Sequence, residues 1–236
     1  PRLLDIDSAR KSHPPMYYFD LLRRELPAAD DRQIRKDLPR LMQDHVMFRS
    51  PEAGSRTIMC TGQALLYNVL KAYAVHDPKV GYVQGMDSLA APALLYFPEE
   101  TAFWYLERML NAPEFALRGL YVDQMPRAHR YVYTHTRLVR RYLPSLAKAF
   151  DEHGIDAYSY AFRWYTLRFG QFSPELSLRV MDVYLHEGDK ILYRVALALL
   201  AREQKRLLTL ARNSPEDLLH ALSALEQDHA TQTLDA

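Results

Sequence analysis

Leu66, Val69, Leu70 and Tyr73 stand at i, i+3, i+4 and i+7, a spacing that a helix gathers on one face and a strand scatters. The period recurs in Phe103, Leu106 and Leu110, in Leu176, Val180 and Val183, and in Ile191, Leu192, Val195, Leu199 and Leu200. The segments ahead of these stripes carry helix-start chemistry. Ser173-Pro174-Glu175 offers a serine cap with proline at the first helical position, and Pro98-Glu99-Glu100 an early proline with an acidic first turn. With only 8 glycines and little alternation of β-branched with polar residues, strands find no support. The fold class expected is all-α.

Prolines punctuate this pattern. Pro14-Pro15, Pro51, Pro78, Pro98, Pro113, Pro126, Pro144, Pro174 and Pro215 fall near helix starts or loops. Pro92 lies inside an apolar stretch that otherwise reads as helix, where it should remove a backbone hydrogen bond and bend the axis. Neither an internal repeat nor a low-complexity tract is evident, and a subdomain division is expected around residues 120 to 150 without a flexible linker.

Charge and composition remove several function classes. The 30 basic and 29 acidic side chains nearly cancel, which gives no reason to expect nucleic acid or an anionic membrane as the main ligand. Cys60 is the only cysteine, so neither an intrachain disulfide nor a thiolate metal cluster can form, which suits the reducing cytosol. The longest apolar run, Leu89 to Phe97, is too short for a bilayer, so direct membrane insertion is not expected. No signal peptide opens the chain, and a first residue other than Met suggests a fragment of a longer polypeptide. Phosphate loops, dinucleotide-binding turns, nucleophile elbows and His-Glu-x-x-His are all missing. None of the 9 histidines pairs with another at i, i+4, so a helical metal site is unsupported. Any chemistry should need a partner to complete the site.

Two segments stand out. In Ile34-Arg35-Lys36-Asp37-Leu38-Pro39-Arg40, Pro39 disfavours helix at Leu38, so Arg40 should leave the helical path for a loop. Asp37, three residues earlier, can accept hydrogen bonds from a guanidinium folded back toward it and fix its orientation. In Gly81-Tyr82-Val83-Gln84-Gly85-Met86, an amide sits between two glycines that permit a tight turn and close approach by another molecule. Taken singly, Arg40 reads as a surface arginine at a helix end and Gln84 as a helix cap or a solvated amide.

Together they resemble the TBC domain family, the Rab GTPase-activating proteins. Ile34, Asp37 and Arg40 match the family's Ile-x-x-Asp-x-x-Arg motif, and Tyr82, Gln84, Gly85 and Met86 its Tyr-x-Gln-Gly-Met motif. Trp164, Leu167 and Phe169 look like its Trp-x-x-Leu-x-Phe segment. Arg179 and Asp182, then Glu187-Gly188, look like its Arg-x-Trp-Asp and Glu-Gly region. The likeness covers roughly residues 16 to 210 of a single TBC domain spanning 1–236, and Gln84 to Pro92 resembles the subgroup whose TBC domain accompanies a kinase-like domain.

The resemblance implies a V-shaped pair of closely packed helical subdomains. It also implies an activator that works in trans on a GTP-bound Rab in vesicle trafficking, rather than a self-contained enzyme. Arg40 would be an arginine finger and Gln84 would orient the attacking water, with Asp37, Tyr82 and Gly85 in support. GTP and Mg²⁺ would belong to the partner, leaving this chain with no cofactor or metal of its own. It would be cytoplasmic and reach membranes through that partner.

Some positions depart from the family pattern: Leu41 stands where threonine is usual, Met181 replaces a tryptophan, and Asp87 stands where asparagine is common. Asp87 adds negative charge near the expected phosphate site, and the family's initial helix is not evident before Met16. These departures leave open an alternative, a non-catalytic TBC module that binds a Rab or scaffolds a complex. Arg179 and Asp182 are expected to pair as ions, Tyr82, Trp164 and Phe169 to be core aromatics, and Arg137, Arg140 and Arg141 to form a solvated basic stripe.

Overall fold

The computed structural model describes residues 4–43, 45–49 and 60–231, so Pro51 lies outside the described residues. All regular elements among the described residues are helical. The chain divides into two compact units, Pro1–Val122 and Asp123–Ala236, with the boundary at the early end of the range expected from sequence.

The first unit contains α1 (Ile6–Lys11), α2 (Tyr17–Arg23) and α3 (Ala28–Asp37), then a 3₁₀ turn (Leu38–Arg40). It continues with α4 (Thr61–His76), α5 (Met86–Leu94), α6 (Glu99–Asn111) and a second 3₁₀ turn (Leu117–Leu120). Helix α4 is the centre, packed against α2, α3, α5 and α6. Its stripe of Leu66, Val69, Leu70 and Tyr73 is buried, as is that of Phe103, Leu106 and Leu110 on α6. Each such side chain contributes about 1.5–3 kcal/mol by leaving water. Pro92 sits in the last turn of α5, which runs only to Leu94 and closes with Leu95 N–H donating to the Pro92 carbonyl at 3.2 Å. Placed there, the proline's missing donor affects only the short helix that precedes it.

The second unit contains α7 (Pro126–Tyr142), α8 (Pro144–Glu152), α9 (Ala157–Tyr160), α10 (Phe162–Thr166), α11 (Pro174–Glu187), α12 (Lys190–Asn213) and α13 (Pro215–Thr231). Prolines 126, 144, 174 and 215 open four of these helices, and the Ser173 hydroxyl accepts the Leu176 N–H at 3.3 Å. Trp164 and Phe169 are fully buried core aromatics. The Ile191–Leu200 stripe is turned slightly from expectation: Leu192, Ala196, Leu199 and Leu200 are buried, whereas Ile191 and Val195 are half-exposed.

One further expectation changes. Arg179 and Asp182 are both exposed on α11, and no ion pair joins them among the described residues. The i, i+3 spacing permits a contact, but two solvated side chains gain little by making it. His135 is fully buried, its ring nitrogens bridging the hydroxyls of Tyr165 at 2.7 Å and Tyr160 at 2.9 Å. Burial pushes its pKa down to about 3, so it serves as a neutral core residue. Arg137, Arg140 and Arg141 are exposed on α7, with Arg140 reaching Asp151 at 3.1 Å.

The polar anchor of this unit is Asp189. It accepts from Arg127 Nη2 at 2.9 and 3.0 Å, from the Tyr131 hydroxyl at 2.6 Å and from the Tyr184 hydroxyl at 3.4 Å. Asp189→Ala would strand a mostly buried guanidinium. Because Asp189 keeps some water access, the cost should fall below that of a fully buried pair, about 2 kcal/mol, or about 4–8 °C in Tm. Thermal melts followed by circular dichroism check this, and an unchanged Tm would remove Asp189 from this role.

Candidate functional site

The end of α3 is built from the Ile34–Arg40 segment. Asp30 and Asp31 lie in its first turn and Arg35 and Lys36 in its last, matching the helix dipole at both ends. Ile34 and Asp37, three apart, share the buried face. Leu38 keeps helical torsions at φ −49° and ψ −47°, although helix was disfavoured there, and the chain tightens into a 3₁₀ turn that ends on Arg40, where a loop was expected. The Leu41 N–H donates to the Leu38 carbonyl at 3.3 Å, and Leu41 itself is extended. Pro39 therefore ends the α-helix without abolishing helical torsion, because an i→i+3 turn tolerates its missing N–H.

Asp37 is 3% exposed and collects three donors. Arg40 Nη2 donates to Oδ1, while Gln33 Nε2 at 2.8 Å and the Tyr82 hydroxyl at 3.2 Å donate to Oδ2. The guanidinium is held at one edge while the Arg40 side chain stays 59% exposed. The Tyr82 bond spans 45 residues of sequence and ties the two motifs together. Gln33 belongs to neither motif; its i, i+4 spacing from Asp37 on α3 was the available sign.

The second segment leaves α4 at Asp77, whose carbonyl accepts the N–H groups of Val80 at 3.1 Å and Gly81 at 2.9 Å. Gly81 has φ +65°, and a Cβ there would meet the Asp30 carboxylate at 3.0 Å. Gly85 has φ +100° and occupies the N-cap position of α5. Both glycines are thus required by backbone geometry, as the tight turn expected from sequence demands. Between them Tyr82 is buried and Gln84 exposed. Gln84 precedes the cap and so does not cap the helix. Burial raises the Tyr82 pKa, with the charges of Asp87 and Asp37 adding to it, so the phenol remains a donor.

Asp87 turns inward. It is buried, and its Oδ1 accepts the Gly85 N–H at 3.0 Å. The acid at this position is therefore a helix-start acceptor facing backbone donors. Its pKa is raised by burial above all and also by the charge of Asp37, against the pull of backbone N–H groups. Tyr121, outside both motifs, donates its hydroxyl to the Gly85 carbonyl at 3.3 Å. No local spacing signals that contact, which joins residues 36 apart.

Among the described residues, no group of three or more His, Cys, Asp or Glu side chains could hold a metal ion. No described helix is long and apolar enough to cross a membrane. What the first unit offers is a pre-oriented exposed cation and an exposed amide, each on a backbone secured by buried polar bonds. That arrangement defines a helical protein with two oriented polar side chains at its surface.

The model of the Rab-GTPase-TBC domain matches residues 3–208. The chain belongs to this family. It is 35% identical to growth hormone-regulated TBC protein 1 of Mus musculus, a match covering 85% of this chain and 58% of that protein. It is 32% identical to Caenorhabditis elegans Rab GTPase-activating protein eat-17, over 82% of this chain and 20% of that protein. The chain thus spans 58% of the mouse relative's length, and 23% of the human ecotropic viral integration site 5 homolog, with which it shares 30% identity over 82% of its own length. Among solved structures, the Chlamydomonas flagellar RabGAP TBC domain superposes with a TM-score of 0.77 at 27% identity, covering 96% of this chain and 72% of that one. The Ypt/Rab-GAP domain of Gyp1p shares the fold, with a TM-score of 0.66 at 19% identity over 95% of this chain and 81% of that one.

Two outcomes are expected of this polar cluster. Tyr82→Phe removes one donor from a buried carboxylate and should cost about 1.5 kcal/mol, or about 3–6 °C in Tm. Asp87→Asn should raise Tm at pH 7.5. Because the folded-state pKa of Asp87 is raised, its charge costs stability above that pKa, and the cost fades as pH falls toward the unfolded value. The variant's advantage should therefore be present at pH 7.5 and shrink as pH falls toward the ordinary aspartate value of 3.8 in paired thermal melts; an advantage that grows toward acid would contradict this assignment.

Proposed function

We propose that this chain accelerates GTP hydrolysis by Rab-family small GTPases, with Arg40 entering the partner's site beside the γ-phosphate and Gln84 orienting the attacking water. The observation that supports this most is the buried Asp37 carboxylate, which binds Arg40 of one motif and Tyr82 of the other. The supports are buried and the two acting side chains exposed. Packing alone asks for no such division.

The chemistry suits these residue types. A GTPase alone leaves charge on the γ-phosphate and leaving oxygen poorly compensated, and an arginine supplied in trans typically contributes about 10³–10⁵ in rate, or about 4–7 kcal/mol. Arg40 donates through one nitrogen to Asp37 and keeps further N–H donors for phosphate oxygens. Its side chain surrenders part of its rotamer freedom, about 2 kcal/mol in full, before the partner arrives. Neither residue needs a perturbed pKa, because the work is positioning and electrostatic stabilisation. The partner is a Rab in its GTP-bound state, holding both GTP and Mg²⁺; this chain contributes no cofactor and reaches membranes through that partner. The name of the C. elegans relative supports the activity assigned.

The test is GTP hydrolysis by a broad Rab panel with the 236-residue chain. At least one Rab should be accelerated. Arg40→Ala should lower kcat/KM by about 10³-fold or more. Arg40→Lys should fall nearly as far, because an ammonium lacks the planar fork. Gln84→Ala should be strongly impaired. Folded chain that binds GTP-loaded Rabs and accelerates none would instead select the non-catalytic module.

A further inference from the structure

We infer that Tyr121 is a positioning residue for Gln84, fixing the backbone from which that side chain projects. The inference rests on the role proposed for Gln84. Gly85 follows Gln84 directly and has φ +100° and ψ −16°, a conformation open to glycine and held by nothing intrinsic to it. The peptide plane before its Cα is bonded through its N–H, and the plane after it through both groups, the Met86 N–H donating to the Val83 carbonyl at 3.2 Å. The plane between Gln84 and Gly85 presents its N–H to Asp87 Oδ1 at 3.0 Å. The plane between Gly85 and Met86 presents its carbonyl to the Tyr121 hydroxyl at 3.3 Å. Since φ and ψ of Gly85 are the rotations between these planes, securing both planes secures both torsions. The Cα of Gln84 lies in the first plane, so the point from which its side chain leaves the backbone is set as well.

The turn that carries Tyr121 and the segment that carries Gln84 share one root. The Asp77 carbonyl accepts the N–H groups of Val80 and Gly81 at the start of the Gln84 segment. The Asp77 carboxylate accepts from Arg118 Nε at 2.7 Å and Nη2 at 3.3 Å. Arg118 lies in the Leu117–Leu120 turn, and Tyr121 immediately follows it. Tyr121 is itself 7% exposed, so its hydroxyl is spent on Gly85 and does not face a partner. It acts through Gln84, and losing its hydroxyl removes one of the two bonds that hold the plane after Gly85, a glycine with wide torsional choice.

The experiment is a double-mutant cycle on the Rab most strongly accelerated in the panel, with GTP-loaded Rab as substrate and Tyr121→Phe, Gln84→Ala and the double variant compared with wild type. A single hydrogen bond of ordinary strength corresponds to about five-fold in rate. Tyr121→Phe should therefore lower kcat about five-fold and leave KM within about two-fold. In the Gln84→Ala background the same substitution should change kcat less than about two-fold, because nothing remains to be positioned. Amide hydrogen exchange should quicken at Gly85 in Tyr121→Phe and stay unchanged in α4 and α6. A Tyr121→Phe chain with wild-type kcat beside an impaired Gln84→Ala overturns this inference alone, as does a five-fold loss that persists undiminished in the double variant. If Gln84→Ala itself turns over at the wild-type rate, the glutamine's proposed role falls, and this inference with it.

Discussion

A buried carboxylate must be supplied with donors, and much of the first unit's polar architecture follows from how Asp37 obtains them. Its own helix provides Gln33, the turn that ends that helix provides Arg40, and a segment 45 residues away provides Tyr82. Remove the acid and each donor loses its acceptor, two of them in places that water reaches poorly. Because Tyr82 is buried, the bond it makes also fixes where the Gly81–Gly85 segment lies against α3. A local ion pair and a long-range tertiary contact are thus one interaction seen from two ends.

The second unit uses similar chemistry to a different end. Asp189 also gathers an arginine and tyrosine hydroxyls, but Arg127 is only 15% exposed there. The largely buried guanidinium, paired with the half-buried Asp189, makes an anchor for α7, α11 and α12. In the first unit the balance is uneven, with an acid at 3% exposure beside a guanidinium at 59%. The exposed partner is oriented without being consumed, which is what a side chain acting on another molecule requires.

What could be read from the sequence was whatever depends on neighbours in the chain. The α4 and α6 stripes, the proline-opened helices, the glycine turns and the Asp37–Arg40 contact all follow from spacings of a few residues. The loop expected at Arg40 is a 3₁₀ turn, because the bias Pro39 imposes on Leu38 yields when an i→i+3 turn satisfies the backbone. The Arg179–Asp182 pair failed for the opposite reason, since spacing allowed a contact that solvent made unrewarding. Three contacts were beyond any local pattern: Tyr82 to Asp37, Tyr121 to Gly85, and His135 between two tyrosines. Each joins residues 25 or more apart and exists only once helices have packed. The two matching motifs brought Tyr82 into view through likeness; Tyr121 had no such help.

The departure at Asp87 shows how position decides what a charge does. An acid beside an expected phosphate site reads from sequence as a repulsive element. In the structure its carboxylate faces the N-terminus of α5, where backbone N–H groups carry partial positive charge. Those dipoles offset its field locally, and burial together with the Asp37 charge favours the protonated form relative to an ordinary aspartate. The same carboxylate bonds the N–H adjoining Gln84, so the residue that threatens the site electrostatically is also part of its framework. An asparagine there could accept the same N–H without the charge. The acid therefore trades some folded-state stability for a stronger hold on Gly85, because a charge-assisted hydrogen bond exceeds a neutral one. On that view the amide of Gln84 stands on a backbone held more firmly than an asparagine would hold it, and the cost is carried by the fold and not by the exposed surface.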